Sequence, residues 1–419
     1  MRKIFLDNTI NWYQREADER SIIMDTSLSR RRFLTYLASG TALALGASGC
    51  SGSLQSTVTS QPATVSPRST TAAQTANAMI EGLVALQQFR GSVLVARQSQ
   101  ILLSKGYNWA NVGDRIPNSP HTRFRIASIT KQFTAMAILI LQERGRLHVQ
   151  DYLRSHLPNC PQTWDPITLQ HLLTMTSGIP DYVNFPSYPT LMTEQPTTEQ
   201  LIATFRDKPL DFVPGTKWAY SNSNYVLLGY IVQLASGLSW GEFLQRNIFD
   251  PLHLVNTGGS SLPGASAQFA IGYSSWTREA IFDRSDFGEG DGSMYSTVLD
   301  LYQWDQEVRS PHPTLVSKST LQQMFTPYVH TVAGAGPQSE AYGYGWFIGY
   351  AGGRHEVEHT GEINGFLSSN QLYPDDGLTV IVLSNLDTDQ GLRHFTTTLA
   401  GIFFGYADCS RHSDPCSEF

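Results

Sequence analysis

The chain has 419 residues, of which 41% are hydrophobic, 16% charged and 11% aromatic, enough apolar material for a large buried core and too much for a disordered chain. Its 29 Lys and Arg against 36 Asp and Glu give a formal net charge of −7. No basic run could follow a phosphate backbone, so nucleic acid is excluded as an expected partner.

At the amino terminus, Ser29-Arg30-Arg31-Arg32-Phe33-Leu34 precedes an apolar stretch, Leu34 to Gly49, that is too short and too rich in Gly, Ser and Thr to span a bilayer. Charge, aromatic residue and apolar run come in the order of a signal segment. The arginine run resembles the twin-arginine export signal. Either Met1 or Met24 fits as the start. The stretch ends Ala47-Ser48-Gly49-Cys50, similar to a lipoprotein cleavage box with Ala47 in place of the usual Leu, and a cut after Ala42-Leu43-Ala44 is the alternative. Residues 1–49 are thus read as a signal segment, and the expected location is the periplasm or cell envelope, with Cys50 as a lipidated membrane tether on the first cut. Residues 50–78 read as a disordered tether, mostly Ser, Thr, Gln, Pro and Ala with Arg68 as the one charge. Folded structure is expected from near Ala78.

The folded part spans 79–405, with a tail over 406–419. Gly91 to Arg97 and Ile101 to Tyr107, separated by Gln98 to Gln100, read as a hairpin. Near the other end, Tyr344 to Tyr350, His355 to Thr360, Gly365 to Tyr373 and Leu378 to Asn385 read as strands, with Asp375-Asp376-Gly377 as a turn. Between them Ser128 to Arg144, Leu169 to Met175, Thr198 to Phe205, Tyr225 to Ala235 and Trp240 to Arg246 have helical apolar spacing, and Gly391 to Phe404 reads as a closing helix. The fold class is therefore α/β of the α+β kind: an antiparallel sheet from both chain ends, flanked by helices, with a helical insert over about 128–299.

Lysine occurs only at Lys3, Lys105, Lys131, Lys208, Lys217 and Lys318, so one inside an apolar segment is notable. The helix opening at Ser128 is apolar on almost every face after its first turn and should run through the interior. Three residues on, Lys131 lies on the same side as the Ser128 hydroxyl. A partly desolvated amine favours its neutral form and can take a hydroxyl proton, while the helix start favours a developing oxyanion. Ser-x-x-Lys alone is common by chance, as are Tyr-x-Asn (at Tyr182 and Tyr220) and His359-Thr360-Gly361. Their setting is more informative, because each lies at an element boundary where side chains can converge.

Here the chain resembles a family. Phe124-Arg-Ile-Ala-Ser-Ile-Thr-Lys-Gln-Phe-Thr, Ile167-Thr-Leu-Gln-His-Leu-Leu-Thr-Met-Thr-Ser-Gly-Ile-Pro-Asp, Phe212-Val-Pro-Gly-Thr-Lys-Trp-Ala-Tyr-Ser-Asn, Phe249-Asp-Pro-Leu, Gly290-Asp-Gly-Ser-Met-Tyr-Ser-Thr and His359-Thr-Gly look like the SxxK serine hydrolases. These comprise class C β-lactamases, low-molecular-weight penicillin-binding proteins, D-aminopeptidases and lactamase-like esterases, and the match runs over about 80–405. The resemblance implies a β-lactamase/transpeptidase-like fold and an exported acyl hydrolase acting on amide or ester bonds through an acyl-enzyme. Ser128 would be the nucleophile, Lys131 its base and Tyr220 the proton relay. Asn222 would hold the substrate amide, His359, Thr360 and Gly361 would line the site, and the backbone N–H of Ser128 and Glu362 would bind the oxyanion. His359 stands where many relatives have Lys, which withholds a fixed charge from a substrate carboxylate. The implied substrates are small molecules or peptidoglycan peptides, with no cofactor and a monomer expected. The alternative is a catalytically weak peptidoglycan-binding or β-lactam-sensing module.

Other candidates have plainer readings. His355-Glu-Val-Glu-His359 spells a zinc-protease motif, but that motif needs a helix, and a strand would hold the two His roughly 13 Å apart, so no metal site is expected. Tyr182 reads as a wall residue, Asp291 as a residue of the cleft mouth, and Trp218, Tyr342, Tyr344 and Trp346 as core or pocket aromatics. Cys409 and Cys416 could close a small loop in an exported protein.

Overall fold

Alternating side chains at both chain ends build one eight-stranded sheet. In the computed structural model, residues 67–194, 196–259, 269–280, 289–332, 340–388 and 391–406 are described. Its strands are β1 (Gly91–Arg97), β2 (Gln100–Tyr107), β3 (Val329–His330), β4 (Ala341–Tyr342), β5 (Phe347–Ala351), β6 (Arg354–Ile363), β7 (Phe366–Tyr373) and β8 (Leu378–Ser384), in the spatial order β2-β1-β8-β7-β6-β5-β4-β3. Every pair is antiparallel, and β1 meets β8 from Gly91 opposite Ser384 to Arg97 opposite Leu378. The apolar runs from the two ends of the folded part thus lie side by side. The short strands β3 and β4 were not legible in the sequence.

The sheet separates two cores. Val93, Val95, Val380 and Val382 face helices α1 (Pro67–Ala85) and α5 (Leu392–Phe404), and Leu94, Ala96, Ile381 and Leu383 face the larger core. The first helix begins at Pro67, ahead of the boundary expected near Ala78, because Ala76 and Ile80 bury an apolar stripe against the sheet. The expected signal segment, its arginine run, Cys50, the tether up to residue 66, and the tail with Cys409 and Cys416 lie outside the described residues.

The larger core forms around α2 (Thr130–Glu143), which buries Thr130 through Leu141 and packs on α3 (Asn222–Ser236) and α4 (Val298–Val308). Burial on all sides is what a helix apolar on all sides requires. The central strand β7 is buried along its whole length, yet carries Ser368, Ser369, Asn370 and Gln371. Those side chains are held: Asn370 Nδ2 donates to Asp305 Oδ1 at 2.8 Å on one face, and Ser369 and Gln371 reach Thr396 and Thr397 of α5 on the other.

Candidate active site

The chain reaches the amino end of α2 through a tight turn. The two-residue strand Phe124–Arg125 pairs with Tyr295–Ser296, and Ala127–Ile129 then form one turn of 3-10 helix leading into α2. Ser128 therefore lies in the 3-10 turn and Lys131 at the second residue of α2. Ala127 adopts φ 44°, a left-handed conformation that costs a residue with a Cβ about 1–3 kcal/mol. Surrounding bonds hold it there. Ile126 N donates to Met294 O at 3.0 Å, Met294 N to Thr130 Oγ1 at 3.2 Å, and Ser368 Oγ to Ile126 O at 2.8 Å.

Gly361 of β6 lies against this turn. A Cβ there would stand 2.4 Å from Ile126 O and 2.9 Å from Ser128 N, so only glycine lets the strand approach. The strand consequently brings Thr360, half-buried, and Glu362, exposed, to the edge of the Ser128 turn.

Two stitched loops supply the remaining groups. Ala219 N donates to Met175 O at 3.0 Å, Ser177 Oγ to Asn224 Oδ1 at 2.5 Å, and Tyr182 N to Ser223 Oγ at 3.0 Å, which fixes the 174–185 segment against the start of α3. On this support Tyr220 OH donates to Ser128 Oγ at 2.9 Å. Lys131 Nζ donates to Ser128 Oγ at 2.9 Å, Asn222 Oδ1 at 2.8 Å and the main-chain O of Asp291 at 2.7 Å. Its ammonium also lies over the Tyr220 and Tyr225 rings, 5.0 and 5.8 Å from their centroids.

Lys131 is fully buried. Burial pulls its pKa down to about 8, opposed by the charges of Asp291 and Asp181. Both carboxyl groups are themselves buried, and that burial pushes them above the usual carboxylate range against the pull of Lys131. Asp291 does not line the cleft mouth as expected. It sits beneath Lys131, because its main-chain O is needed there, and its Oδ2 accepts from Tyr182 OH at 2.9 Å. Tyr182 is likewise a buried support and not a wall residue, and Tyr220 alone of the two tyrosines is bonded to Ser128.

His359 is buried beside the site, with ring centroids 5.3 Å from Phe347 and 6.2 Å from both Tyr342 and Tyr220. Desolvation, then the nearby Lys131 charge, depress its pKa to about 3, so the imidazole is neutral. Trp218 extends this aromatic side, 6.0 Å from Tyr342 and 6.1 Å from Phe347, whereas Tyr344 and Trp346 are core. His355 and His359 both lie in strand β6, the extended geometry anticipated for them. Of the anticipated residues, Lys131 and Tyr220 bond to the Ser128 hydroxyl, Asn222 bonds to Lys131, His359 lies beside Tyr220, and Gly361 packs on the Ser128 turn between Thr360 and Glu362 in the strand. Asp181 was missed: it stood inside the quoted Ser-Gly-Ile-Pro-Asp run, with no spacing signal to set it apart.

A family profile described as Beta-lactamase matches residues 76–401. The chain is 30% identical over 305 residues to Protein flp of Staphylococcus aureus, covering 71% of this chain and 60% of that one, so the match spans about three-fifths of that relative's length. Among solved structures, the octameric penicillin-binding protein homologue from Pyrococcus abyssi superposes with a TM-score of 0.70 at 28% identity, covering 79% of this chain and 77% of that one. A D-stereospecific amidohydrolase from Streptomyces sp. superposes with a TM-score of 0.64 at 27% identity, covering 80% and 99%.

Proposed function

This chain belongs to the beta-lactamase family, and from that premise we propose that it is an exported serine acyl hydrolase working through a Ser128 acyl-enzyme on amide or ester bonds of small molecules or peptidoglycan peptides. The observation that carries this reading is the meeting of Lys131 Nζ and Tyr220 OH on one oxygen, each 2.9 Å from Ser128 Oγ.

The chemistry follows from that meeting. Ser128 Oγ attacks the carbonyl carbon as its proton moves to the neutral Lys131 amine, and the oxyanion is held by the Ser128 and Glu362 backbone N–H groups. Collapse expels the leaving group, which receives a proton through Tyr220. Water then attacks the ester, its proton passing to the Tyr220 and Lys131 pair, and Ser128 regains its hydrogen as the acid departs.

The neutral His359 and the rings of Tyr342, Phe347 and Trp218 favour uncharged, apolar leaving groups over substrates held by a carboxylate. The test is labelling of the parent and of Ser128→Ala with a fluorophosphonate, beside turnover of p-nitrophenyl esters, nitrocefin and D-alanyl peptides. Expected is stoichiometric labelling of the parent, none of the variant, and ester or amide turnover. Labelled Ser128→Ala discards the nucleophile, and a labelled parent without steady turnover replaces the hydrolase with a sensing module.

A further inference from the structure

Proton transfer to Lys131 depends on where its lone pair points. Three acceptors surround Nζ: Ser128 Oγ, Asn222 Oδ1 and Asp291 O. An ammonium has three hydrogens for them, but the neutral amine has two. If those two stay on Asn222 Oδ1 and Asp291 O, the lone pair faces the Ser128 hydroxyl. The base is therefore aimed by the two oxygens that do not react.

One of these oxygens depends on a side-chain rotation. Turned over, Asn222 would offer its NH2 to Lys131 and draw the lone pair away from Ser128. Asp181 opposes that rotation. It is 7% exposed, and it accepts from Asn222 N into Oδ1 at 3.0 Å and from Asn222 Nδ2 into Oδ2 at 3.2 Å. With Asn222 reversed, its amide oxygen would face the carboxylate, acceptor against acceptor. The other oxygen, Asp291 O, belongs to a residue whose carboxyl is held by Tyr182 OH.

We infer that Asp181 is a positioning residue for acylation: its two-point grip on Asn222 sets the amide so that the Lys131 lone pair faces Ser128, and its charge offsets the ammonium that forms there. This inference rests on the hydrolase reading above. It also assigns Asn222 first to the base, with one Nδ2 hydrogen left for a substrate amide. The groups facing Lys131 are Asp181 with Tyr182 from the 181–184 turn, Tyr220, Asn222 and Tyr225 from α3 and its approach, Asp291, and neutral His359 of β6. Asp181 and Asp291 are the two of these that carry negative charge toward it.

The test is the pH profile of fluorophosphonate labelling for the parent, Asp181→Asn and Asp181→Glu, each checked for folding by circular dichroism. Asp181→Asn removes the charge and can no longer accept both N–H groups. Its plateau rate should fall at least tenfold, and its acid limb should move to lower pH by about half a unit or more, because a charge that raised the Lys131 pKa is gone. Asp181→Glu keeps the charge and displaces the grip, so its rate should fall about fivefold with the limb in place. A plateau rate in Asp181→Asn equal to the parent's overturns the inference, as does a rate loss with an unmoved limb, the signature of a merely structural residue. If Asp181→Asn does not fold, Asp181→Glu decides alone, and an unchanged rate overturns the inference. A parent that is not labelled at Ser128 overturns the hydrolase reading and this inference together, whereas a labelled parent with indifferent variants overturns only the inference.

Discussion

Ser128 stands between two unlike regions. Beneath it, Lys131, Asp181, Asp291 and half-buried Asn222 form a polar floor joined by short, directed hydrogen bonds. Beside it, His359, Tyr342, Phe347 and Trp218 form a wall of neutral rings, with a single hydrogen bond of 3.4 Å between the Tyr342 hydroxyl and His359 Nε2 among these four side chains. Burial acts on both in the same direction, toward the uncharged form, and to different extents. In the floor it brings a lysine toward neutrality while two carboxylates hold it back; in the wall it strips the charge from a histidine that has no carboxylate to oppose the loss. The floor thus suits proton transfer, which many acyl substrates share, and the wall suits discrimination among them.

The largest effect should come from removing the floor's base. Lys131→Met is expected to slow labelling of Ser128 by about 10²–10⁴, the usual range for a lost general base, while thermal unfolding shows an intact fold. In the parent the same group sets the acid limb. Its free-enzyme value of about 8 means labelling falls as the pH drops below 8 and the amine takes a proton. A flat profile between pH 6 and 9 would detach the rate from Lys131.

Next in size is the junction where floor and wall meet. Gly361→Ala places a methyl 2.4 Å from Ile126 O, 2.5 Å from Ser368 Oγ and 2.9 Å from Ser128 N. The variant should lose about 1–3 kcal/mol of stability by denaturant unfolding and at least tenfold in labelling rate, because the Ser128 turn has to shift. A Gly361→Ala protein with parental stability and rate would mean that the close approach is not maintained in solution.

The smallest effect is expected in the wall. His359→Lys should leave ester turnover within about tenfold of the parent. It should shift the kcat/KM ratio of a D-alanyl peptide over its C-terminal amide toward the free carboxylate by about tenfold, the worth of roughly one charge-assisted hydrogen bond. An unchanged ratio would place the carboxylate elsewhere and remove the wall from the account of selectivity.

Much of the floor was legible because helix geometry is local. Ser128 and Lys131 are three residues apart at the mouth of an apolar helix, and that spacing dictates their meeting once the helix forms. The strands β1, β2, β6, β7 and β8 were legible for a similar reason, since strand-type runs and the turn residues that bound them are written in consecutive positions. The short strands β3 and β4 carry two residues each, too few for any period to show. Asp291 and Tyr182 were misplaced because their roles depend on segments far away in the chain: one offers a main-chain oxygen to a lysine 160 residues distant, and the other a hydroxyl to that same aspartate.

By itself the sequence determined the family, the antiparallel sheet from both ends of the folded part, and the Lys131 and Tyr220 that meet the Ser128 hydroxyl, since these follow from short-range patterns and from motifs that keep their order. Only the tertiary structure decided that Asp181 grips Asn222, that Tyr182 supports Asp291, and that Asp291 offers its main-chain O to Lys131. These depend on distance and desolvation between segments brought together by folding, and neither quantity is defined along an unfolded chain.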